Sequence, residues 1–347
     1  MSPHAPRIAV VGAGWWATAH HLPALAELAA RGSAEIVAVV DADPGRARKA
    51  ATEFAVPLGT DDLEAVTAVG LDGAVVATPH STHHAIAGDL IDAGIGVLIE
   101  KPLATTAADA FDLVRRHEAT GGVLAVGYTA EYSRAARIAR EWVADEIGEL
   151  VQVSIDFASA AGARYATTDA ADERSAYSAR TGGGQASTQL THAVASAMYA
   201  TGRQAETVAA LTSDRRLAVD VDDAAVFRLA GAVMGAAVST GALEPGAPMR
   251  HRVRFLGTRG TVSHDLLHAT ARLETAVGSL TVGPRHDEPA YPAREPVRAF
   301  VHLLSGAVEN PAPIRPAAAT VAFIETLLHA AESGGFRDVP QLPPLED

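Results

Sequence analysis

A glycine-rich turn near the N-terminus constrains the fold of this chain more than any other feature. The apolar run Ile8–Val11 has the length of a β-strand, and the turn Gly12–Ala17 (GAGWWA) follows it and leads into a helix-like stretch. Gly12 permits the tight turn, Gly14 lets a ligand approach the backbone, and Ala17 lets the helix pack closely on the strand. Because a helix N-terminus offers unpaired N–H groups to phosphates, this order predicts a dinucleotide-binding Rossmann domain.

An acidic residue stands where such a turn needs one. Asp41 ends the second predicted strand, Glu35–Asp41, and its carboxylate would accept hydrogen bonds from both hydroxyls of the adenosine ribose. The same charge would repel a 2′-phosphate, so the predicted cofactor is NAD. Arg46 and Arg48 follow on the next helix and leave NADP open as the less favoured alternative. The competing interpretation is a structural turn followed by a solvated acid.

Strand-like and helix-like segments alternate through the first third of the chain. Continuous Val/Ile/Ala runs separated by helices are typical of a parallel sheet that is covered on both faces. The further strands are predicted at Gly73–Ala77, Gly96–Glu100 and Val123–Gly127. The helices are predicted at Trp16–Ala30, Pro44–Phe54, Thr82–Ala93 and Thr106–His117.

The pattern changes near Glu149 to strands with alternating polar and apolar residues, which indicate an antiparallel sheet with one wetter face. These strands are predicted at Val151–Phe157, Thr207–Thr212, Ala224–Ala230, Met234–Thr240, His251–Leu256, Gly260–Asp265 and Ala269–Thr275, with a hairpin turn at 256–261. The expected fold class is α/β: an N-terminal doubly wound Rossmann domain (1–127) plus a C-terminal α+β substrate and oligomerisation domain (128–347) with an open, largely antiparallel sheet. The closing helices are predicted at Glu295–Leu304 and Ala317–Ala331. They are assigned to the second domain, and the alternative is that they pack back on the Rossmann domain.

Composition narrows the functional class. A formal net charge of −13 disfavours nucleic acid and anionic membrane surfaces as partners, since both require basic patches. The absence of cysteine excludes disulfides, thiolate metal sites and cysteine nucleophiles. No apolar run approaches the ~20 residues of a membrane span, and no leader segment is evident, so we expect a cytoplasmic protein.

Two polar clusters follow predicted strand ends, where ligands bind in open parallel sheets. In Glu100-Lys101-Pro102, the lysine would point an ammonium group at a ligand while the proline stiffens the backbone; the competing interpretation is a surface lysine. The segment Thr78–His84 contains three histidines, which invites a metal interpretation. Metal sites recruit ligands from several elements, so His83 and His84 are instead expected to cap or line the next helix, and no metal is predicted.

A third cluster begins at Gly182–Gly184 and continues into a predicted helix over Gln185–Thr201. On that helix one face would carry the polar residues Gln185, Thr188, Gln189 and His192. Histidine titrates near ~6.5, which suits reversible proton transfer at neutral pH. The competing interpretation is a helix face turned to solvent. The irregular stretch 158–180 precedes the cluster, and its Tyr177 and Arg180 are candidate substrate contacts.

These features together resemble the Gfo/Idh/MocA oxidoreductases, the family of glucose–fructose oxidoreductase and inositol dehydrogenase. The resemblance covers most of the chain in order. Its matching positions are the Gly12–Ala17 turn, Asp41, Thr78-Pro79 with His83, Glu100-Lys101-Pro102, Gly182–Gly184 with His192, and Gly257–Gly260.

The resemblance implies hydride transfer between a nicotinamide and a hydroxyl or keto carbon of a sugar, cyclitol or sugar-derived substrate, in a homodimer or homotetramer. It implies Lys101 as hydrogen-bond donor to the reacting oxygen, His192 as acid and base, and Pro79 and His80 near the nicotinamide. The expected cofactor-binding residues are Gly12, Ala13, Gly14, Trp15, Trp16, Asp41, Arg46, Thr78, Pro79, His80, His83, Glu100 and Lys101. The expected substrate-binding residues are Tyr128, Tyr177, Arg180, Gln185, Thr188 and Gln189.

One position departs from the family pattern. Many relatives carry an aspartate four residues before the histidine, where this chain has Thr188, which supplies no negative charge to a protonated base. Two alternatives therefore stay open. One is an NAD-sensing regulatory protein of the same fold that acts through a protein partner. The other is NAD-assisted elimination or bond cleavage on a sugar that is only transiently oxidised.

Overall fold

The computed structural model describes residues 5–306 and 309–344, and the chain divides into two compact units. The first unit comprises Met1–Leu103, Asp112–Gly127 and Ala293–Ile314. The second unit comprises Ala104–Phe111, Tyr128–Pro292 and Arg315–Asp347. The predicted single division after residue 127 would instead place segment 104–111 in the first domain and segment 293–314 in the second.

The elements are numbered here in chain order. The strands are β1 (Arg7–Val11), β2 (Glu35–Val40), β3 (Leu58–Thr60), β4 (Gly73–Val76), β5 (Gly96–Ile99), β6 (Leu124–Val126), β7 (Leu150–Ala158), β8 (Ala205–Ser213), β9 (Asp222–Leu229), β10 (Val233–Thr240), β11 (Arg250–Gly257), β12 (Gly260–Asp265), β13 (Thr270–Thr275), β14 (Gly278–Val282) and β15 (Arg337–Asp338). The helices are α1 (Leu22–Ala30), α2 (Pro44–Glu53), α3 (Leu63–Ala68), α4 (His83–Asp92), α5 (Ala107–Thr120), α6 (Arg134–Asp145), α7 (Gly162–Thr167), α8 (Thr191–Thr201), α9 (Glu295–Leu304) and α10 (Ile314–Ser333).

The first unit is built on a parallel six-stranded sheet in the order β3-β2-β1-β4-β5-β6. This is the doubly wound Rossmann order, and it confirms the predicted fold class. The central strand β1 is buried from Ile8 to Val11, as its continuous apolar run predicts. The Gly12–Ala17 turn and a π-helical turn over Ala17–His21 precede α1, where the sequence predicted a single regular helix.

Helix α9 packs within the first unit because glycines at the starts of two strands leave room for its side chains. A Cβ atom on Gly73 would lie 2.9 Å from the Phe300 ring, and one on Gly96 would lie 2.5 Å from Leu304. Phe300 is fully buried in the same apolar cluster as β1. The sequence predicted neither β3 nor α3, which are both short.

The second unit contains a nine-stranded sheet in the order β14-β13-β12-β11-β7-β10-β9-β8-β15. Among the described strand pairs of this sheet, β7 with β10 is parallel and the others are antiparallel. Leu256 pairs with Thr261, which confirms the predicted hairpin. The edge strand β15 covers the end of β8, pairing Arg337 with Val208.

The two faces of this sheet differ. Val153, Phe157 and Phe255 point into an apolar core that also contains side chains of α6, α8 and α10. The opposite face exposes large apolar side chains at 40–57% of their surface. They are Val151, Val226, Met234, Val238 and Leu256. Within the described residues, no helix is both long and apolar enough to cross a membrane.

Burial of one histidine in this core predicts a pH-dependent stability. His264 on β12 is 1% exposed, with its Nδ1 atom 3.0 Å from Ser196 Oγ. Burial lowers the pKa of His264 to about 4, whereas an unfolded histidine titrates near ~6.5. As the pH falls through that window, the unfolded state takes up a proton that the folded state refuses, so stability is lost.

We expect the free energy of unfolding to fall by about 2 kcal/mol on account of His264 between about pH 7 and pH 5. Urea unfolding followed by circular dichroism at both pH values measures it. The His264→Gln variant, which does not titrate, should lose correspondingly less stability. Equal losses in the variant and the parent would contradict this assignment.

Candidate functional site

The turn after β1 is closed by backbone contacts that only glycine allows. The N–H group of Gly12 donates to the Val40 carbonyl over 2.7 Å. Gly12 has φ +100°, and a Cβ atom there would lie 2.4 Å from the Ala77 carbonyl oxygen. At Gly14, by contrast, a Cβ atom would meet no heavy atom of the described residues within 4 Å. The turn is therefore tight at Gly12 and open at Gly14, as close approach of a phosphate requires.

Asp41 joins this turn to the following loop. Its Oδ2 accepts a hydrogen bond of 2.8 Å from the Ala13 N–H, and its Oδ1 accepts one of 2.8 Å from the Asp43 N–H. The Arg46 guanidinium also donates to Oδ1, over 2.8 Å. The residues expected at the ribose end thus lie together, with Arg46 partly neutralising the acid. Trp15 is 64% exposed beside them, and the Trp16 ring packs against His20 at 4.2 Å.

The segment after β4 places its histidines differently. His83 is fully buried, with Nδ1 2.7 Å from the Pro102 carbonyl oxygen and Nε2 3.0 Å from that of Thr78. Both ring nitrogens therefore face backbone carbonyl oxygens, and the expected cofactor contact of His83 stays a prediction. His80 is also buried, edge-on to His83. His84 bonds Asp112 over 2.8 Å, and no group of three potential metal ligands gathers within the described ranges.

The segment after β5 carries a buried glutamate–histidine contact that the sequence did not reveal. Glu100 Oε1 lies 2.8 Å from Nε2 of His21, and Oε2 accepts a bond of 3.2 Å from the Lys101 N–H. Burial alone would raise the pKa of Glu100, but the His21 hydrogen bond and the charges of His21 and Lys101 outweigh it and lower that pKa. Glu100 is buried whereas Lys101 is partly exposed, and the cofactor contacts expected of both stay predictions.

Two sequence signals would have drawn attention to this region, one at His21 and one at Lys101. His21 follows Ala17 by four residues and so shares its sheet-facing side of the helical turn, where a histidine needs a buried partner. Lys49 and Lys101 are the two lysines among 28 basic residues, and the others are arginines. Because an ammonium group and a guanidinium group differ in shape and donors, the rare lysine at position 101 is the second signal, and it draws attention to Lys101 itself.

In the second unit, the helix after Gly182–Gly184 begins as a π-helical turn over Ala186–Leu190. Gln185 is fully buried; its Nε2 donates to Ser239 Oγ over 2.9 Å and its Oε1 accepts from Tyr165 over 3.3 Å. Thr188 is buried as well, 2.6 Å from the Tyr165 hydroxyl. Neighbouring protein groups bond both side chains, and the substrate contacts expected of Gln185 and Thr188 stay predictions.

Two residues of the expected polar face remain accessible. Gln189 and His192 are both half-buried. The Tyr128 ring meets the His192 ring edge-on at 6.1 Å, and its hydroxyl lies 2.9 Å from Thr191 Oγ1. Tyr128 is 1% exposed, and this burial raises its pKa. Tyr128 therefore packs beside His192 and offers almost no surface to a substrate.

The remaining candidates lie in the segment before the glycines. The Arg164 guanidinium lies over the Tyr177 ring, 5.2 Å from its centroid. Arg180 forms an exposed ion pair of 3.0 Å with Glu173. The two expected substrate contacts are accessible, since Tyr177 is half-buried and Arg180 is exposed.

Two neighbouring acids behind the glycines, the half-buried Asp220 and the buried Asp223, were not foreseen. Asp220 Oδ2 accepts a bond of 2.6 Å from the Ala186 N–H, which anchors the start of the helical segment. Asp223 lies nearby and is 3% exposed. Burial, together with the neighbouring Asp220, raises the pKa of Asp223.

Two family models match the chain, one in each part. Residues 6–128 match the oxidoreductase family with an NAD-binding Rossmann fold, and residues 136–263 match the GFO/IDH/MocA C-terminal domain. The chain belongs to the Gfo/Idh/MocA oxidoreductase family. The turn, Asp41 and Lys101 thus lie in the family's NAD-binding domain, and His192 lies in its C-terminal domain.

Curated relatives match over part of their length. A putative UDP-kanosamine synthase oxidoreductase subunit from Amycolatopsis mediterranei is 36% identical over 156 residues, 45% of this chain and 42% of that protein. Inositol 2-dehydrogenase 1 from Saccharopolyspora erythraea is 40% identical over 117 residues, 33% of this chain and 34% of that protein. The chain thus matches less than half the length of these relatives.

Solved structures match over nearly the whole chain. GenD2 from gentamicin A biosynthesis, in complex with NAD, is 26% identical over 98% of both chains, with a TM-score of 0.77. Levoglucosan dehydrogenase in complex with NADH is 18% identical over 97% of this chain and 99% of that chain, with a TM-score of 0.80. The latter similarity shows the fold alone.

The two glycines of the turn should respond differently to a methyl group. Gly12→Ala should lower the free energy of unfolding by about 1–3 kcal/mol, because its Cβ meets the Ala77 backbone at a left-handed φ. Gly14→Ala, the matched control, should stay within about 0.5 kcal/mol of the parent. Urea unfolding of both variants is the measurement, and equal destabilisation would contradict the difference.

Proposed function

We propose that this protein transfers a hydride between the nicotinamide of NAD and a hydroxyl-bearing or keto carbon of a sugar, a cyclitol or a sugar-derived compound. The observation that carries the proposal is the first unit's combination of an open phosphate-binding turn, Asp41 after β2 and Lys101 after β5. The names of its relatives, among them inositol 2-dehydrogenases, support a polyhydroxylated substrate.

The residues of the first unit fit the dinucleotide. The free space over Gly14 admits a pyrophosphate, and Asp41 lies on the ribose side of the turn. The residues proposed to hold the dinucleotide are Gly12, Ala13, Gly14, Trp15, Trp16, Asp41, Arg46, Thr78, Pro79 and His80. When bound, NAD supplies the hydride acceptor in oxidation and, in its reduced form, the donor in reduction.

The catalytic roles are proposed for two side chains. The Lys101 ammonium donates a hydrogen bond to the reacting oxygen and stabilises negative charge that develops there. His192 accepts the hydroxyl proton during oxidation and returns it during reduction. The Tyr128 ring, edge-on to His192, limits the orientations of the imidazole. Gln189, Tyr177 and Arg180 are the accessible candidates for substrate hydroxyl groups.

The assembly proposed for this chain is a homodimer or homotetramer. The exposed apolar side chains on the outer face of the nine-stranded sheet support it, because a second copy would remove them from water.

Cofactor preference tests the role of Asp41. We expect NADH to bind at least about tenfold more tightly than NADPH, because the Asp41 carboxylate repels a 2′-phosphate. Arg46→Ala should widen this ratio, since the guanidinium that neutralises Asp41 is lost. Arg48→Ala, on the same helix, is the control and should leave it unchanged. Calorimetric titration of the cofactor-free parent and both variants measures the three ratios, and tighter NADPH binding by the parent would contradict the assignment.

Turnover tests the role of Lys101. With a substrate found by screening sugars and cyclitols for reduced-cofactor absorbance, Lys101→Met should lower kcat by about 10²–10³ and leave NADH affinity unchanged. Lys49→Met is the matched control, and His192→Asn should lower kcat by about 10²–10⁴. Activity retained in Lys101→Met would contradict the proposed mechanism, and NADH binding without turnover on any substrate would favour the regulatory alternative.

A further inference from the structure

Lys101 lies in a segment whose backbone is held from both sides by buried histidines. On the N-terminal side, Glu100 accepts the Lys101 N–H and is itself bound by His21. On the C-terminal side, His83 Nδ1 lies 2.7 Å from the Pro102 carbonyl oxygen. His21 and His83 are both fully buried, so these contacts are shielded from water.

The Glu100 carboxylate occupies a site shaped for it. A Cβ atom on Gly127 would lie 2.7 Å from Glu100 Oε1, so a side chain at position 127 would displace the carboxylate. His21 Nε2 is 2.8 Å from the same oxygen, while the His21 Nδ1 atom has no hydrogen-bond partner among the described residues. The pair therefore depends on a single contact between residues 79 positions apart.

We propose that His21 is a positioning residue for Lys101, acting through the buried Glu100 carboxylate. His21 fixes the carboxylate, the carboxylate fixes the Lys101 N–H, and the ammonium group is thereby aimed and placed near a negative charge. The functional meaning of this arrangement rests on the proposed role of Lys101, but the coupling between the three residues does not.

Removing His21 should affect Lys101 by an electrostatic route. Without the His21 hydrogen bond, Glu100 remains buried and burial favours its protonated form. The negative charge beside the Lys101 ammonium would then be lost. The titratable and charged groups whose fields reach Glu100 include His20, His21, His83 and Lys101, and all of them are present in the chain used for the test.

The scarcity of lysine makes the coupling directly measurable. The Lys49→Arg variant leaves Lys101 as the single lysine of the chain. Full-length protein labelled with [¹³Cε]lysine then gives one lysine signal, which reports the position and titration of this ammonium group without substrate or turnover.

In this background, His21→Leu should move the Lys101 signal at neutral pH, where Glu100 without its partner favours the protonated form. His21→Gln keeps a donor for Glu100 and should restore the parent signal. The matched control is His84→Leu, which removes a histidine–carboxylate bond of the same 2.8 Å length in the same unit. A His21→Leu signal identical to the parent would overturn the proposal, as would an equal change in His84→Leu.

A second variant covers the case in which His21→Leu does not fold. Glu100→Gln removes the charge but keeps a polar side chain, and it should change the Lys101 signal in the same direction. An unchanged signal there would also overturn the proposal. If the signals behave as expected but Lys101→Met retains full activity, the proposed function fails while the coupling stands, so the two failures are distinguishable.

Discussion

The first unit depends on a backbone position that has no room for a side chain. Gly12 follows β1 directly, and a Cβ atom added there would lie 2.4 Å from the carbonyl oxygen of Ala77, which follows β4. This close approach lets the strand end turn sharply toward the next helix. The Ala13 N–H then donates to Asp41. The absence of a side chain at Gly12 therefore allows the loops after β1, β2 and β4 to pack together. The candidate dinucleotide site is a consequence of that packing.

Buried polar groups organise both units in a similar way. In the first unit, Glu100 is held by His21 and by a backbone N–H. In the second, Asp220 is held by the Ala186 N–H, and Tyr165 joins Gln185 to Thr188. Each network fixes the backbone next to a residue proposed to act in catalysis, Lys101 or His192. Since an unsatisfied buried group costs more than a hydrogen bond returns, such networks select one arrangement of the segment.

Much of the fold could be predicted because strand periodicity and turn chemistry are local signals. Strands β1 and β2, and the β11–β12 hairpin, lie close to where their sequences indicate. Helix α6 was missed although its pattern is amphipathic: Arg134, Arg137 and Arg140 are exposed, while Ile138 and the alanines between them are buried. Strand β3 is short and half-exposed, so its pattern is weak.

The candidate site was less predictable because its contacts are long-range. The polar face drawn from Gln185 to His192 assumed regular helical spacing, but the segment contains a π-helical turn that Tyr165 and Ser239 cover. His21 meets Glu100 across 79 residues, and only the fold brings them together. Lys101, Asp41 and Gly12 could be proposed from the sequence because each stands at the end of a strand of the parallel sheet, where ligands bind.

The short strand β15 has a consequence for solubility. By pairing with Val208 and Thr207 it occupies backbone groups at one edge of a long sheet, and Gln341 adds a bond to the Ala205 carbonyl. An uncovered edge would present these groups as a template for a foreign strand. A chain cut before residue 337 would lose the buried side chains of Val339 and Leu342 and would also become prone to aggregate edge to edge, so the C-terminal segment acts as a guard against misassembly.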